Sequence, residues 1–278
     1  MSHRNSFLID TGIYKIFNKY IIHILSVPEF AMDSNIIKAA EIIKKSKNMI
    51  ALTGAGISVE SGIPDFRSAG GLWDKYDPAI YASIYSFHNM PEKVWEMIFD
   101  MIEITENAKP NNAHLALAEL EKMKLLKAVI TQNIDNLHQE AGSKNVIEYH
   151  GNAKHLVCLN CSASYSASEF EIQKRRVPHC DSCGKVLKPS VIFFGENIPE
   201  RALTESQRYA ESADVVLVAG TSAVVYPAAG IPRIAKSLGA VIIEFNLEET
   251  ELTGDDTDIF IQGSAGKTLP ELVKLLKS

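Results

Sequence analysis

The chain has 278 residues, enough for one large domain or for a large and a small one, and a fold of that size buries roughly three quarters of the surface its unfolded form exposes. Hydrophobic residues make up 46% and charged residues 22%, which excludes a disordered or fibrous chain, and no apolar run reaches the roughly 18–20 residues of a membrane helix. The 34 acidic and 28 basic residues leave a net charge of −6, which argues against stable nucleic-acid binding and suits a basic peptide better.

Residues 1–31 stand apart as an N-terminal extension. A short apolar run at 21–27 follows Arg4, Lys15 and Lys19, but His23 interrupts it and Pro28-Glu29-Phe30-Ala31 is a poor cleavage site, so a secretory signal is not expected. Met32 is an alternative start, because an amphipathic segment opens directly after it. The chain is expected to be cytoplasmic and monomeric. Asp33, Ser34 and Asn35 offer helix caps, and Ile36, Ile37, Ala40 and Ile43 fall on one helical face. Residues 48–53 form a short apolar run ending at Gly54, the pattern of a buried parallel strand. Similar runs occur at 127–131, 146–149, 191–194, 215–219, 241–245 and 258–261. Helical segments lie at 113–124, 200–211 and 227–237, and an amphipathic helix closes the chain at 269–276.

Strands alternating with helices predict the α/β class: a Rossmann-like parallel sheet with helices on both faces and right-handed crossovers. Two stretches break the alternation. Residues 69–107 are rich in aromatics and Met, and 152–188 hold all four cysteines. They are expected to form a smaller domain, a helical insertion plus a zinc-ribbon module. The Rossmann-like part would then comprise about 33–68, 108–151 and 189–278. Ligands in open α/β sheets bind beyond the carboxyl ends of the strands, so the chemistry is expected there, facing the cleft between the two parts.

The cysteines fall into two pairs, Cys158-Leu-Asn-Cys161 and Cys180-Asp-Ser-Cys183. Two such knuckles match a tetrahedral Cys₄ zinc site, structural because no position is left for a catalytic water. Two disulfides or four unrelated core thiols are the alternatives, the former disfavoured in a cytoplasmic chain.

Three strand ends carry polar residues. Thr53-Gly54-Ala55-Gly56-Ile57-Ser58 follows a strand and is expected to lead into a helix, where glycine lets the backbone approach a phosphate. The third glycine of a dinucleotide fingerprint is replaced by Val59, which weakens a hydride-transferring reading. Gly62-Ile-Pro-Asp65-Phe66-Arg67 then sets a rigid turn beside a carboxylate, a ring and a guanidinium, overhanging the phosphates; a plain surface turn is the alternative. Thr131-Gln132-Asn133-Ile134-Asp135 suits a carboxamide, which needs both donor and acceptor, although Asn133 or Asp135 also fits a helix cap. His150-Gly151 places an imidazole at a strand end, where it can take a proton near neutral pH; the alternative is an ordinary satisfied histidine.

These motifs, with Phe193-Phe-Gly195-Glu196 and Gly220-Thr221-Ser222, occur in the order in which the sirtuins carry them. The chain resembles that family of NAD-dependent protein lysine deacylases over about residues 34–278. The resemblance implies NAD as consumed co-substrate and one structural zinc ion on Cys158, Cys161, Cys180 and Cys183. It implies a cofactor site from Gly54, Ala55, Gly56, Ser58, Asp65, Phe66, Arg67, Gln132, Asn133, Ile134, Asp135, Gly220, Thr221, Ser222, Asn246, Leu247 and Ala265. An acyl-lysine peptide would pair as an extra strand, with Val191, Ile192, Phe193 and Gly195 along the acyl-lysine tunnel. His150 would act as general base on the ribose hydroxyls, with Asn133 near the ribose; the products would be free lysine, nicotinamide and O-acyl-ADP-ribose. Succinyl-preferring relatives carry a Tyr-x-x-Arg pair where this chain has Ile98 and Met101, so neutral acyl groups are expected, acetyl and longer chains. The alternatives weighed against deacylation are mono-ADP-ribosyl transfer on the same scaffold and a zinc-ribbon nucleic-acid module.

Overall fold

The computed structural model describes residues 33–278; the extension, its apolar run at 21–27 and the alternative start at Met32 lie outside the described residues. Among those described, nine strands form: β1 (Met49–Thr53), β2 (Leu126–Thr131), β3 (Val146–Glu148), β4 (Gly151–Val157), β5 (Ser164–Ser166), β6 (Lys188–Val191), β7 (Val215–Ala219), β8 (Val241–Asn246) and β9 (Ile259–Gln262). Six of them make one sheet in the order β3-β2-β1-β7-β8-β9, and every pairing in it is parallel.

Burial follows from the two-residue side-chain period of a strand. Met49 and Ala51 of β1 enter one core with Ile36 and Ile43, Leu117 and Leu120, and Leu269 and Leu272, from the helices Ser34–Ile43, Asn112–Lys122 and Ala265–Lys277. Ile50 and Leu52 enter the opposite core with Ala202 and Ala210, and Ile231 and Ala235, from the helices Glu200–Ser212 and Gly230–Ser237. Helices therefore cover both faces, which is why β1 and β7 are buried at every residue and read as unbroken apolar runs. The strand order reverses between β1 and β7, the switch point at which such sheets open a ligand crevice.

The remaining strands form a separate antiparallel sheet, β5-β4-β6. Its core joins Trp95 and Phe99 of the helix Pro91–Glu106 to Leu156, Leu187 and Phe193 and to the cysteine knuckles. The Trp95 indole donates to the Leu187 carbonyl at 2.9 Å.

The structure corrects one expectation and narrows another. Residues 191–194 are not a strand of the parallel sheet. Val191 ends β6, where it pairs with Gly151, and the apolar residues after it leave the sheet; their hydrophobicity reflects the smaller core, in which Phe193 is buried. The glycine loop leads into a 3₁₀ helix, Ala55–Ser61, and not into an α-helix. Gly62 closes that helix in the left-handed region at φ 87° and Pro64 follows, so it cannot propagate.

Candidate active site

A cleft of ≈ 1290 Å³ runs along the carboxyl ends of β1, β2, β7 and β8 and is closed on its other side by residues 191–196 and the helix Pro91–Glu106. Every residue expected to serve catalysis, the cofactor or the acyl-lysine lines this one cleft.

At the switch point the loops after β1 and β7 meet backbone to backbone. Gly54 N donates to the Ala219 carbonyl at 3.2 Å and Gly56 N to the Gly220 carbonyl at 2.8 Å. A Cβ on Gly54 would stand 2.7 Å from Thr221 Cβ, one on Gly56 2.9 Å from Gly220 Cα, and one on Gly220 2.1 Å from Ile57 N. Gly220 also holds φ at +60°. The three glycines are thus required by mutual approach, and they leave a side-chain-free cradle that suits the diphosphate of a dinucleotide.

The β2 end is wired into that cradle. Gln132 Nε2 donates to Thr221 Oγ1 at 2.9 Å. Asn133 Nδ2 donates to the Gly54 carbonyl and to Ser58 Oγ, both at 3.1 Å, and Ser58 Oγ donates to Asp135 Oδ2 at 2.7 Å. Asp135 Oδ1 accepts from Leu137 N at 3.0 Å, so this carboxylate both starts the helix Leu137–Glu140 and orders the site. Beneath them, His138 Nε2 lies 2.9 Å from Thr53 Oγ1, and the buried His114 ring sits 4.9 Å from that of His138. Burial holds both imidazoles neutral, His114 at a pKa of about 4 and His138 at about 3.

His150 stands between β3 and β4. Its Nδ1 is 3.1 Å from the Gln132 carbonyl, which can only accept, so Nδ1 carries the proton and Nε2 is the basic nitrogen. Burial lowers its pKa, against a smaller opposing effect of that hydrogen bond, and the ring is a neutral base at neutral pH. Gly151 beside it has φ +75°, and a Cβ there would lie 2.1 Å from the Ser190 carbonyl oxygen; glycine is what lets β4 turn onto β6 at this point.

In the overhanging loop, Asp65 spends its carboxylate locally, accepting from Arg67 N at 2.9 Å and Ser68 N at 2.8 Å and from the Ser68 hydroxyl. These contacts lower its pKa against the cost of burial, which is the largest single influence. The loop shapes the cleft with Phe66, whose ring packs 4.9 Å from that of Trp73, and leaves Arg67 lining it.

Sequence reasoning missed two buried charges. Lys188 is 2% exposed and its ammonium donates to the Pro189 carbonyl at 3.1 Å, the Val191 carbonyl at 2.6 Å and Glu196 Oε2 at 2.9 Å. Glu196 Oε2 also accepts from Phe193 N at 2.7 Å, which ties residues 188–196 into a closed ring. The second is Glu244, whose signal was a carboxylate interrupting the apolar run of β8.

The four cysteine sulfurs lie within 4.8 Å of one another and none is in a disulfide. Two Sγ···Sγ distances are 3.4 and 3.5 Å, close to the roughly 3.8 Å that tetrahedral zinc–sulfur bonds of about 2.3 Å impose. Four soft donors in that arrangement fit Zn²⁺.

A switch-point cradle, a strand-end imidazole and a Cys₄ module on one α/β chain define an NAD-consuming enzyme with a structural zinc. The Sir2 family model matches residues 54–227. Among relatives, an NAD-dependent protein deacylase of Pyrococcus furiosus is 48% identical over 86% of this chain and 97% of its own length. NAD-dependent protein deacylase 2 of Archaeoglobus fulgidus is 49% identical over 88% and 98%. A solved Sir2 enzyme superposes with a TM-score of 0.84 at 48% identity, covering 88% of this chain and 99% of that one. A Sir2 homolog–NAD complex gives 0.81 at 46% identity, covering 87% and 93%, and a Sir2 protein bound to a myristoylated histone peptide gives 0.76 at 42%, covering 88% and 98%. The chain belongs to the Sir2 family.

Proposed function

We propose that this chain removes neutral acyl groups from protein lysines at the expense of NAD, releasing nicotinamide, O-acyl-ADP-ribose and free lysine. The observation that carries the reading is His150: a neutral imidazole with Nδ1–H fixed on the Gln132 carbonyl, in the same cleft as the Gly54–Gly56–Gly220 cradle. NAD supplies the electrophilic ribose carbon and the nicotinamide leaving group. No protein nucleophile is then required.

The roles follow from position. The cradle glycines, Thr221 and Ser222 hold the diphosphate, and Asn246, Leu247 and Ala265 the adenosine. Gln132, Asn133, Ile134 and Asp135 orient the nicotinamide end, with Ser58 fixing the Asn133 and Asp135 side chains. The acyl oxygen would bond to the ribose carbon as nicotinamide departs, and His150 Nε2 would take a proton from a ribose hydroxyl so that its oxygen bonds to the acyl carbon; the lysine C–N bond then breaks, the amine leaves with a proton, and water completes the O-acyl ester. Val191, Ile192, Phe193 and Gly195 flank the acyl-lysine, whose backbone adds along 191–195.

The far wall sets acyl preference. Trp95, Met97, Ile98, Met101 and Ile102 line it, an apolar surface without a cation. Asp100 does not line the cleft: it is bound by Lys75, the Tyr76 hydroxyl and Arg175. Acetyl and longer neutral chains fit this wall, in keeping with the myristoylated peptide on one relative.

The test is incubation with NAD and a panel of acyl-lysine peptides, with products identified by mass spectrometry. Equal amounts of nicotinamide, O-acyl-ADP-ribose and deacylated peptide are expected, with succinyl-lysine turned over slowest. ADP-ribosylated protein without deacylation would overturn the reading in favour of transferase activity.

A further inference from the structure

Glu244 has 0% exposure in the middle of β8. Four donors surround its carboxylate. Oε1 accepts from Asn246 Nδ2 at 2.8 Å and Thr250 Oγ1 at 2.6 Å, and Oε2 from Thr253 Oγ1 at 2.8 Å and Thr257 Oγ1 at 2.7 Å. Thr250 Oγ1 in turn accepts from Leu252 N at 3.2 Å, and Thr253 Oγ1 from Thr250 N at 2.8 Å. These two hydroxyls receive a main-chain hydrogen and direct their own protons at Glu244. Burying a carboxylate is costly unless its lone pairs are met, and the loop at 247–258 meets them.

Two of these donors line the cleft, Thr250 and Asn246, and Asn246 stands at the end of β8. Its Nδ2 also donates to the Thr221 carbonyl at 3.2 Å. A main-chain carbonyl only accepts, so the nitrogen of this amide must face Thr221 and Glu244. Both its hydrogens are used, and Oδ1 is left for the cleft.

We propose that Glu244 is a positioning residue for the adenosine end of NAD: it locks the Asn246 amide with Oδ1 presented, so that this site accepts a ribose hydroxyl and refuses a phosphate in its place. The proposal rests on the reading of Asn246 as an adenosine contact. A hydroxyl donates to the amide oxygen. A 2′-phosphate brings acceptors and negative charge toward an amide oxygen backed by a buried carboxylate.

Calorimetry on the full chain with ADP-ribose and with 2′-phospho-ADP-ribose tests it. The unaltered chain binds the second at least about tenfold more weakly. Asn246→Asp, which sets a carboxylate against Glu244 and the Thr221 carbonyl, weakens ADP-ribose about tenfold and raises KM for NAD with kcat little changed. Adding Glu244→Gln to that variant replaces one of the two facing carboxylates by an amide that can donate to the other, and brings affinity back to within about threefold. Equal affinity of N246D and the unaltered chain for ADP-ribose, or no recovery in the double variant, overturns the proposal. Should N246D not fold, Glu244→Gln decides alone: it narrows the gap between the two ligands, and an unchanged gap overturns the proposal. An unaltered chain that binds no ADP-ribose overturns the NAD reading itself, a different result.

Discussion

The two sheets meet the same cleft by opposite means. The six-stranded sheet presents its site from strand ends anchored in two apolar cores: β1 and β7 are buried throughout, and the cradle is glycine backbone against glycine backbone. The three-stranded sheet is short and partly exposed, and β4 has only Leu156 fully buried. Its order depends on point fastenings: the four cysteines, the Trp95–Leu187 hydrogen bond and the Lys188–Glu196 pair. One region is held by two extended apolar cores, the other by a smaller core braced by a few polar or metal-ligand contacts whose individual loss is large.

The largest effect that tests this contrast is removal of the metal. Cys158→Ser with Cys161→Ser, or exhaustive chelation, is expected to cut deacylation at least about 100-fold, because a structural zinc site is folding free energy for the segment it closes. ADP-ribose affinity, which belongs to the large sheet, should change far less; parallel loss of both would show that the two regions are not held separately. Next comes His150→Ala, with a kcat lower by about 10²- to 10⁴-fold and ADP-ribose binding retained. Because burial lowers the His150 pKa, the acid limb of kcat/KM for the unaltered chain should fall below the ordinary histidine value of about 6.5. An acid limb above that value would contradict the buried neutral base.

The same contrast decides what could be read in advance. The central strands of the large sheet were legible because both faces are covered, which makes β1 and β7 continuously apolar: 215–219 has the observed bounds and 48–53 misses them by one residue. Strand β4, Gly-Asn-Ala-Lys-His-Leu-Val, shows no such signal, since its side chains are mostly half-exposed and its partners are set by the knuckles. The run at 191–194 misled for the reciprocal reason: it is apolar because of the smaller core and the cleft. All the catalytic, cofactor and acyl-lysine residues named from motifs line one cleft. What escaped was the layer behind them. Lys188 and Glu244 look like surface residues in a linear sequence, and only the fold shows that main-chain carbonyls and threonine hydroxyls enclose them.

Lys188 gives a smaller, sharper test of the point-fastened region. Lys188→Met leaves Glu196 without its ammonium and frees the Pro189 and Val191 carbonyls, a loss of about 3 kcal/mol for a broken buried pair. Since the pair also holds Phe193 N, peptide KM should rise while ADP-ribose affinity stays. Lys188→Arg, too large for the pocket, should not rescue it. A K188M chain with unchanged peptide KM would mean that the 188–196 ring is positioned by packing alone.

The smallest expected effect per residue probes the large sheet, where the buried His114 and His138 sit under the loop at 132–135. Desolvation lowers both pKa values, to about 4 and about 3, with the nearby Asp135 charge opposing the shift at His114 and the His114 charge adding to it at His138. The folded values lie below the unfolded value of about 6.5. The folded state therefore binds fewer protons than the unfolded chain in this range, and stability falls as the pH falls. The contribution is complete above about pH 6.5 and is lost as pH drops toward about 4. The carboxylates lowered by hydrogen bonds, such as Asp65 and Asp214, add their loss only below about 3.9, so the interval from about 6.5 to about 4.5 belongs to the imidazoles. Urea unfolding across that interval should show a decline of about 2 kcal/mol for each imidazole, so that His138→Gln removes roughly half of it. A flat profile would mean that the pair titrates as exposed histidines do. An early loss of the near-ultraviolet tryptophan signal, ahead of far-ultraviolet helix signal, would show that acid attacks the fastened region before it reaches these imidazoles.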